Sequence, residues 1–419
     1  MKTACRKLSS VSMIALTITI LTQGCAFIRP DIDLKTITLA NEETYAKAVN
    51  PFVLQRLGAK IPDEEVQTAL SSVAARLQTG KQKPVFYIVN DPVPAAFALP
   101  GGEIVVTRGL LFQVESEVEL LVLLAHQLGH DASRDGVQLA ARISMQQKRL
   151  LPLSDYDAAA ISSKFLTEPF SNTQEIAADR YAVELFASAG LDPTLYVSLL
   201  PKIYARLEAL PDFQTQSMTK QHPLSTKRFK AAEVFVAALS SSQADPVKIA
   251  SSFFEHLSSV LLATRPGYVM YQEALQLEKN GVTDQAISMY LKAATTAPDQ
   301  ALLLTGLGLA YMRQDAFVAA RQHLTRAMRL DSAYYHARLG LGYIYLQEKK
   351  FNAAEEHLIR SQALLPTSLG GYLLARYYED IGDSKSALSL YREVVHYFKE
   401  SQMGRLAAKR ILESAHELE

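Results

Sequence analysis

His126-Gln127-Leu128-Gly129-His130 follows a dense, largely apolar segment, Glu119-Leu120-Leu121-Val122-Leu123-Leu124, and the reading of the whole chain turns on it. Residues four apart on a helix share a face, so both imidazoles can reach one metal ion. Zinc is the default occupant, one ion per chain. A catalytic zinc takes three protein ligands and keeps a position for water, so a third donor must come from elsewhere in the chain. Hydrolases built on this spacing carry glutamate after the first histidine as general base. Here that position is Gln127.

Glu175 is the candidate third ligand. It lies in Glu175-Ile176-Ala177-Ala178-Asp179, within a run from Thr173 to Ala187 that reads as helix and is followed by Gly190 as a stop. Glu175 and Asp179 therefore share a face. Glu175 offers the metal a hard carboxylate, and Asp179 can accept a hydrogen bond from a ligand histidine and fix its tautomer. Taken alone, such a pair also reads as solvated surface charge.

Several stretches occur together in one order: Ala96-Phe97-Ala98-Leu99-Pro100-Gly101-Gly102, Val105-Val106-Thr107-Arg108-Gly109-Leu110-Leu111, the two-histidine helix, Glu175 to Asp179, and His222-Pro223 with Arg228. That order resembles the HtpX- and BepA-like zinc metallopeptidases over residues 40 to 235. The resemblance implies a zincin-like domain in which His126, His130 and Glu175 bind zinc and Asp179 supports them. It also implies that His222 faces the site, stabilising an oxyanion or closing the fourth coordination position, and that Arg228 supports the same wall. Three positions depart from the family pattern: Gln127 for glutamate, Ala95 for asparagine, and Asp135 where histidine is frequent.

An amide accepts no proton at neutral pH, so Gln127 can orient a water but cannot deprotonate it. General acid–base assistance is worth ~10²–10⁴-fold in rate, or about 3–5 kcal/mol of barrier. Glu117, Glu119 and Asp131 are near in sequence, but none repeats the position directly after the first histidine.

Val85-Phe86-Tyr87-Ile88-Val89 and Ile104-Val105-Val106-Thr107 are β-branched and aromatic runs flanked by Pro84, Asn90-Asp91-Pro92 and Pro100-Gly101-Gly102, and they predict a small sheet beside the metal helix. An edge strand there either pairs with an extended peptide or only supports the helix. Residues 138 to 170 predict a helix pair over the site or a spacer. The chain has 419 residues, is 48% hydrophobic, and balances 43 basic against 43 acidic residues, which gives no indication of a nucleic-acid partner.

Lys2, Arg6 and Lys7 precede an apolar stretch from Val11 to Leu21 that ends at Thr22-Gln23-Gly24-Cys25, an export-signal pattern. It resembles a bacterial lipoprotein signal, implying lipidation at Cys25, membrane attachment through that lipid, and a periplasmic place at the outer membrane. Cys5 and Cys25 are the two cysteines, so the mature chain is expected to hold no disulfide.

Beyond residue 236 the composition changes, and Ser240 to Pro246 reads as a linker. Ala286, Ala320, Ala354 and Ala387 then recur at intervals of 34, 34 and 33 residues, with Leu307-Gly308-x-x-Tyr311 and Leu341-Gly342-x-x-Tyr345 in two first helices, the tetratricopeptide signature. The expected layout is a signal at 1–25, the zincin-like domain at 26–238, a connector at 239–264, four repeats at 265–402 and a capping helix at 403–419. The fold class is mainly α with a small β-sheet, followed by an α-solenoid. Tyr268, Tyr271, His336, Tyr343, Tyr372 and Arg376 are expected on the concave face of the first helices, as partner contacts or inter-repeat packing. Two functions follow: a zinc endopeptidase for misfolded envelope proteins, or a pseudopeptidase that holds unfolded or assembling outer-membrane proteins, or their assembly machinery, without cutting.

Overall fold

The computed structural model describes residues 37–77, 83–211, 218–239 and 252–416. The signal, Cys25 and the Ser240–Pro246 linker lie outside the described residues. In the N-terminal half, Thr38 and Asn41 form a capping box that opens helix α1 (Leu39–Arg56), and Asp63 caps α2 (Glu64–Ala74). Three strands follow, β1 (Val85–Val89), β2 (Ala96–Leu99) and β3 (Glu103–Thr107), in the order β1-β3-β2, with β1 parallel and β2 antiparallel to β3. The strand β2 falls in the Ala96 to Leu99 motif, four apolar residues with no alternation to announce a strand. All four of its residues are buried.

Helices α3 (Arg108–Leu111), α4 (Glu117–Ala132), α5 (Asp135–Gln146), α6 (Asp155–Phe165), α7 (Asn172–Ser188), α8 (Thr194–Glu208), α9 (Met218–Gln221) and α10 (Thr226–Leu239) complete this half. Ser116 caps α4, which is buried without interruption from Glu119 to His130. Gly129 lets α4 and α7 cross closely, since a Cβ there would stand 2.5 Å from the Ala178 carbonyl oxygen. Residues 138 to 170 form the helix pair α5 and α6 and the segment leading into α7.

The C-terminal half stacks helix pairs: α11 (Ser252–Lys279) with α12 (Thr283–Thr296), α13 (Ala301–Arg313) with α14 (Phe317–Leu330), α15 (Tyr335–Gln347) with α16 (Phe351–Leu364), and α17 (Ser368–Asp380) with α18 (Ser384–Phe398). The last helix, α19 (Gln402–His416), packs on α18. One continuous helix, α11, spans the boundary expected at 264, so connector and first repeat are a single element. Ala286, Ala320, Ala354 and Ala387 are all buried in the second helices. Among the described residues, no helix is long and apolar enough to cross a membrane.

The first helices pack against the N-terminal half. Gln55 Nε2 donates to the Ala333 carbonyl at 2.6 Å and Gln55 Oε1 accepts from Tyr335 N at 3.1 Å. Gln272 Nε2 reaches the Pro92 carbonyl at 3.1 Å, and the Tyr156 ring of α6 stacks on Tyr397 at 4.8 Å. This corrects the expectation that Tyr268 is available to a partner: it is wholly buried, its hydroxyl bonds Asn90 and, at 2.9 Å, Gln300 Oε1, and its ring meets Phe112. The other residues of that set are likewise engaged. Tyr271 packs on Tyr290 and Gly306, His336 lies between the hydroxyls of Tyr334 and Tyr335, Tyr343 meets Phe317, Tyr372 meets Tyr391, and Arg376 pairs with Glu379.

Candidate metal centre

Helices α4 and α7 and the Gln221-His222-Pro223 segment bring four donors together. Donor atoms of His126, His130, Glu175 and His222 lie within 4.8 Å of one another, and all four residues are buried. His126 Nε2 and His130 Nε2 are 3.1 Å apart. Glu175 places Oε2 at 3.4 Å from the first and Oε1 at 3.4 Å from the second. His222 Nδ1 stands 3.0 Å from Glu175 Oε1 and 3.3 Å from His126 Nε2.

The outer atoms of the imidazoles explain why their inner atoms converge. His130 Nδ1 faces Asp135 Oδ2 at 2.8 Å, and His126 Nδ1 faces Asp179 Oδ1 at 3.1 Å. A proton on each Nδ1 leaves two Nε2 lone pairs facing each other beside a carboxylate, an arrangement that calls for a cation. The donor set fits zinc in particular, with imidazole nitrogens, one carboxylate and a further carboxylate behind His126 and behind His130.

Asp135, noted in the sequence only as a departure, is thus the partner of His130. Arg134, in the left-handed region at φ 55°, turns the chain between α4 and α5 so that Asp135 folds back onto the ring. Arg134 is held there by Glu42 at 2.7 Å and by the Ile37 carbonyl at 3.1 Å. Gln174 Nε2 donates to the second Asp135 oxygen at 2.9 Å.

Arg228 is wholly buried and joins the two α7 carboxylates: Nη1 lies 2.7 Å from Glu175 Oε2 and Nε 2.5 Å from Asp179 Oδ2. Burial opposes ionisation of Asp179, but hydrogen bonds with His126 and the Arg228 charge outweigh it and pull its pKa down to about 2. Glu175, opposed by burial too, is held well below the usual carboxylate range by His222 and the other histidines. Burial likewise pushes His222 down to about 4, against the pull of Glu175, so its ring is neutral and can donate a lone pair. For His130, burial lowers the pKa but Asp135 and Glu175 raise it more.

Three further residues left no signal in the sequence. Tyr196 on α8 donates to Asp179 Oδ1 at 2.6 Å, Tyr204 donates to the His222 carbonyl at 2.6 Å, and Phe170 stacks on His130 at 4.3 Å. Phe170 closes the segment read as a lid or a spacer, and it covers the ring. Gln127 is buried, with Nε2 3.5 Å from His222 Nε2 and Oε1 lacking a protein partner. Glu117 pairs with Arg76 and Glu119 with Arg206, eight or more residues before Gln127 along α4, about 12 Å or more away. Neither can replace the missing base.

Residues 60–235 match Peptidase family M48, and residues 311–377 match Tetratricopeptide repeat. Residues 60–235 are an M48 domain. M48 peptidases are zinc-dependent, which agrees with the donor set assembled by α4, α7 and His222. The chain is 34% identical over 147 residues to mitochondrial metalloendopeptidase OMA1 of Arabidopsis thaliana, covering 34% of this chain and 30% of that one. It is 27% identical over 169 residues to the beta-barrel assembly-enhancing protease of Yersinia pestis, covering 35% and 33%. It is 28% identical over 144 residues to metalloprotease LoiP of Escherichia coli, covering 32% and 55%. The chain thus spans from about a quarter to just over half the length of such curated relatives. Within the M48 domain, the ligands and their supporting carboxylates are assembled, and the position of the general base carries an amide.

Proposed function

We propose that this protein is a zinc-holding, M48-family component of the cell envelope that binds unfolded or assembling envelope proteins and cleaves them weakly or not at all. The observation that carries the reading is Gln127: a neutral amide, buried against His222, where a proton acceptor is required. His126, His130 and Glu175 would hold the zinc, with His222 placed to fill the remaining position. With His222 turned away from that position, zinc there would polarise a carbonyl and lower the pKa of a bound water. The chain's own residues orient rather than transfer protons. Asp135 and Asp179 fix the imidazole tautomers, Arg228 pairs with two buried carboxylates, and Phe170 and His222 exclude solvent.

A site completed by four protein donors is built like a structural zinc centre. Similarity to a beta-barrel assembly-enhancing protease supports this client class. Export and lipidation at Cys25, with outer-membrane attachment, place the protein where such clients fold. A second reading, an active endopeptidase, is favoured by the intact ligand and carboxylate set.

The test is zinc stoichiometry together with cleavage of casein and of an unfolded outer-membrane protein by the natural chain and Gln127→Glu. One zinc per chain, with cleavage raised ~10²–10⁴-fold by Gln127→Glu, is the expected result. Equal cleavage by both proteins supports the endopeptidase, and absence of zinc removes the metal centre altogether.

A further inference from the structure

Asp179 and Asp135 stand behind the two ligand histidines of α4, and the group that stands behind His222 is the side-chain amide of Gln127. The His222 ring is turned the other way round from its two neighbours. Its Nδ1 is the inner atom, 3.0 Å from Glu175 Oε1 and 3.3 Å from His126 Nε2, so its Nε2 is the outer one. Gln127 Nε2 lies 3.5 Å from that outer nitrogen, at the far edge of hydrogen-bonding distance, and both side chains are wholly buried.

Backbone bonds fix where this ring sits. The Tyr204 hydroxyl donates to the His222 carbonyl at 2.6 Å, and Phe170 N donates to the Gln221 carbonyl at 3.2 Å. What remains to be set is which ring nitrogen carries the proton, since a neutral imidazole has one N–H and one lone pair. With the Gln127 NH2 toward Nε2, the proton belongs on Nδ1, where it points at Glu175 Oε1. That tautomer cannot give Nδ1 to a cation, and it leaves Gln127 Oε1 buried without a hydrogen-bond partner. A metal that takes the Nδ1 lone pair requires the proton on Nε2. Half a turn of the Gln127 amide then sets Oε1 opposite that N–H, and the bare acceptor gains the donor it lacks.

We infer that Gln127 is the positioning residue of the fourth metal donor: its side-chain oxygen accepts from His222 Nε2–H and so aims the Nδ1 lone pair at the ion held by His126, His130 and Glu175. All three imidazoles then follow one scheme, an outer N–H on a side-chain oxygen and an inner lone pair on the metal, with Gln127 serving His222 as Asp179 and Asp135 serve the histidines of α4. A neutral acceptor does this without placing a fourth carboxylate beside Glu175, Asp179 and Asp135, all of them buried. The residue that cannot act as base thereby has a task of its own. This role rests on the reading of His222 as the donor that fills the remaining position, and it names the residue that keeps it there.

The test uses the full-length chain with nitrogen-15 in its histidine rings, loaded with zinc and read by long-range proton–nitrogen correlation, which tells Nδ1–H from Nε2–H. Three metal-bound imidazoles are expected, two carrying Nδ1–H and one carrying Nε2–H, the last of them missing from His222→Ala. Gln127→Met, of similar size but without the oxygen, should lose ~10–100-fold in zinc affinity against a chromogenic chelator. Loaded with cobalt(II), the same variant should change its visible spectrum when azide is added, whereas the parent chain should not. Gln127→Asn, one methylene shorter, keeps the amide but not its reach and should behave alike. A loaded chain with only two bound imidazoles, a bound His222 that carries Nδ1–H, or zinc affinity and azide response unchanged in folded Gln127→Met and Gln127→Asn each overturns the role. Because no cleavage is read, a chain that fails here can still hold clients without cutting them, and one that cuts can still pass.

Discussion

Asp135 and Asp179 decide which nitrogen each ligand histidine offers, and this is where single residues matter most. Gln174 donates to Asp135 Oδ1, so Asp135→Asn would turn its amide oxygen to Gln174 and its NH2 to His130. The imidazole proton would then move to Nε2, where the metal must bind. Loss of such a partner typically weakens metal affinity ~10–100-fold, and competition against a chromogenic chelator should show that for Asp135→Asn with secondary structure unchanged. Asp179→Asn should cost as much affinity and also destabilise the chain, since Arg228 is buried against that carboxylate. Unchanged affinity in both variants would remove these carboxylates from the metal's support. Sequence spacing exposed His126, His130, Glu175 and Asp179 because helical periodicity links them locally. Asp135 was visible only as an unusual residue, and Tyr196, Tyr204 and Phe170 not at all, because each reaches the site through a turn or from another helix.

At the scale of elements, the centre exists because α4 and α7 cross at Gly129. A methyl group there would lie 2.5 Å from the Ala178 oxygen and 2.6 Å from its Cα, backbone atoms that cannot rotate away. Gly129→Ala should therefore push α7 outward, carrying Glu175 and Asp179 from the histidines. Overpacking of this kind costs ~1–3 kcal/mol, to be read from urea unfolding of the metal-free chain. Zinc affinity should fall in the same variant, whereas a surface change on α7 such as Arg180→Ala should alter neither. Both helices were legible in the sequence from their apolar periodicity and stop signals. Their crossing was not, because a glycine between two histidines reads equally as a weak point in a helix. Strand β2 escaped notice for a related reason: four buried residues carry no alternation, and only pairing with β3 makes them a strand.

For the whole molecule, the repeats and the M48 domain meet along a continuous seam, so the solenoid is part of the domain's packing as well as an appendage to it. The 33- to 34-residue period announced the repeats but could not announce the seam, whose hydrogen bonds join residues such as Gln55 and Tyr335 that are distant in the chain. His336 makes this seam sensitive to acid. Its Nδ1 lies 2.8 Å from the Tyr334 hydroxyl and its Nε2 2.5 Å from that of Tyr335, two neutral partners that offer an imidazolium no countercharge. Burial pushes its pKa down from the ordinary histidine value to about 4. The unfolded chain therefore binds a proton near pH 6.5 that the folded chain refuses until about pH 4, and stability falls as pH drops through that window. For one group the loss by pH 4.5 is about 2.5 kcal/mol. His336→Gln keeps a neutral hydrogen-bonding side chain at every pH, so it should be the less stable protein at pH 7.5 and lose less on acidification. Urea unfolding of both chains at pH 7.5 and 4.5, read by circular dichroism, measures the difference directly. Parallel losses in the two proteins would show that the acid sensitivity of the seam does not arise at His336.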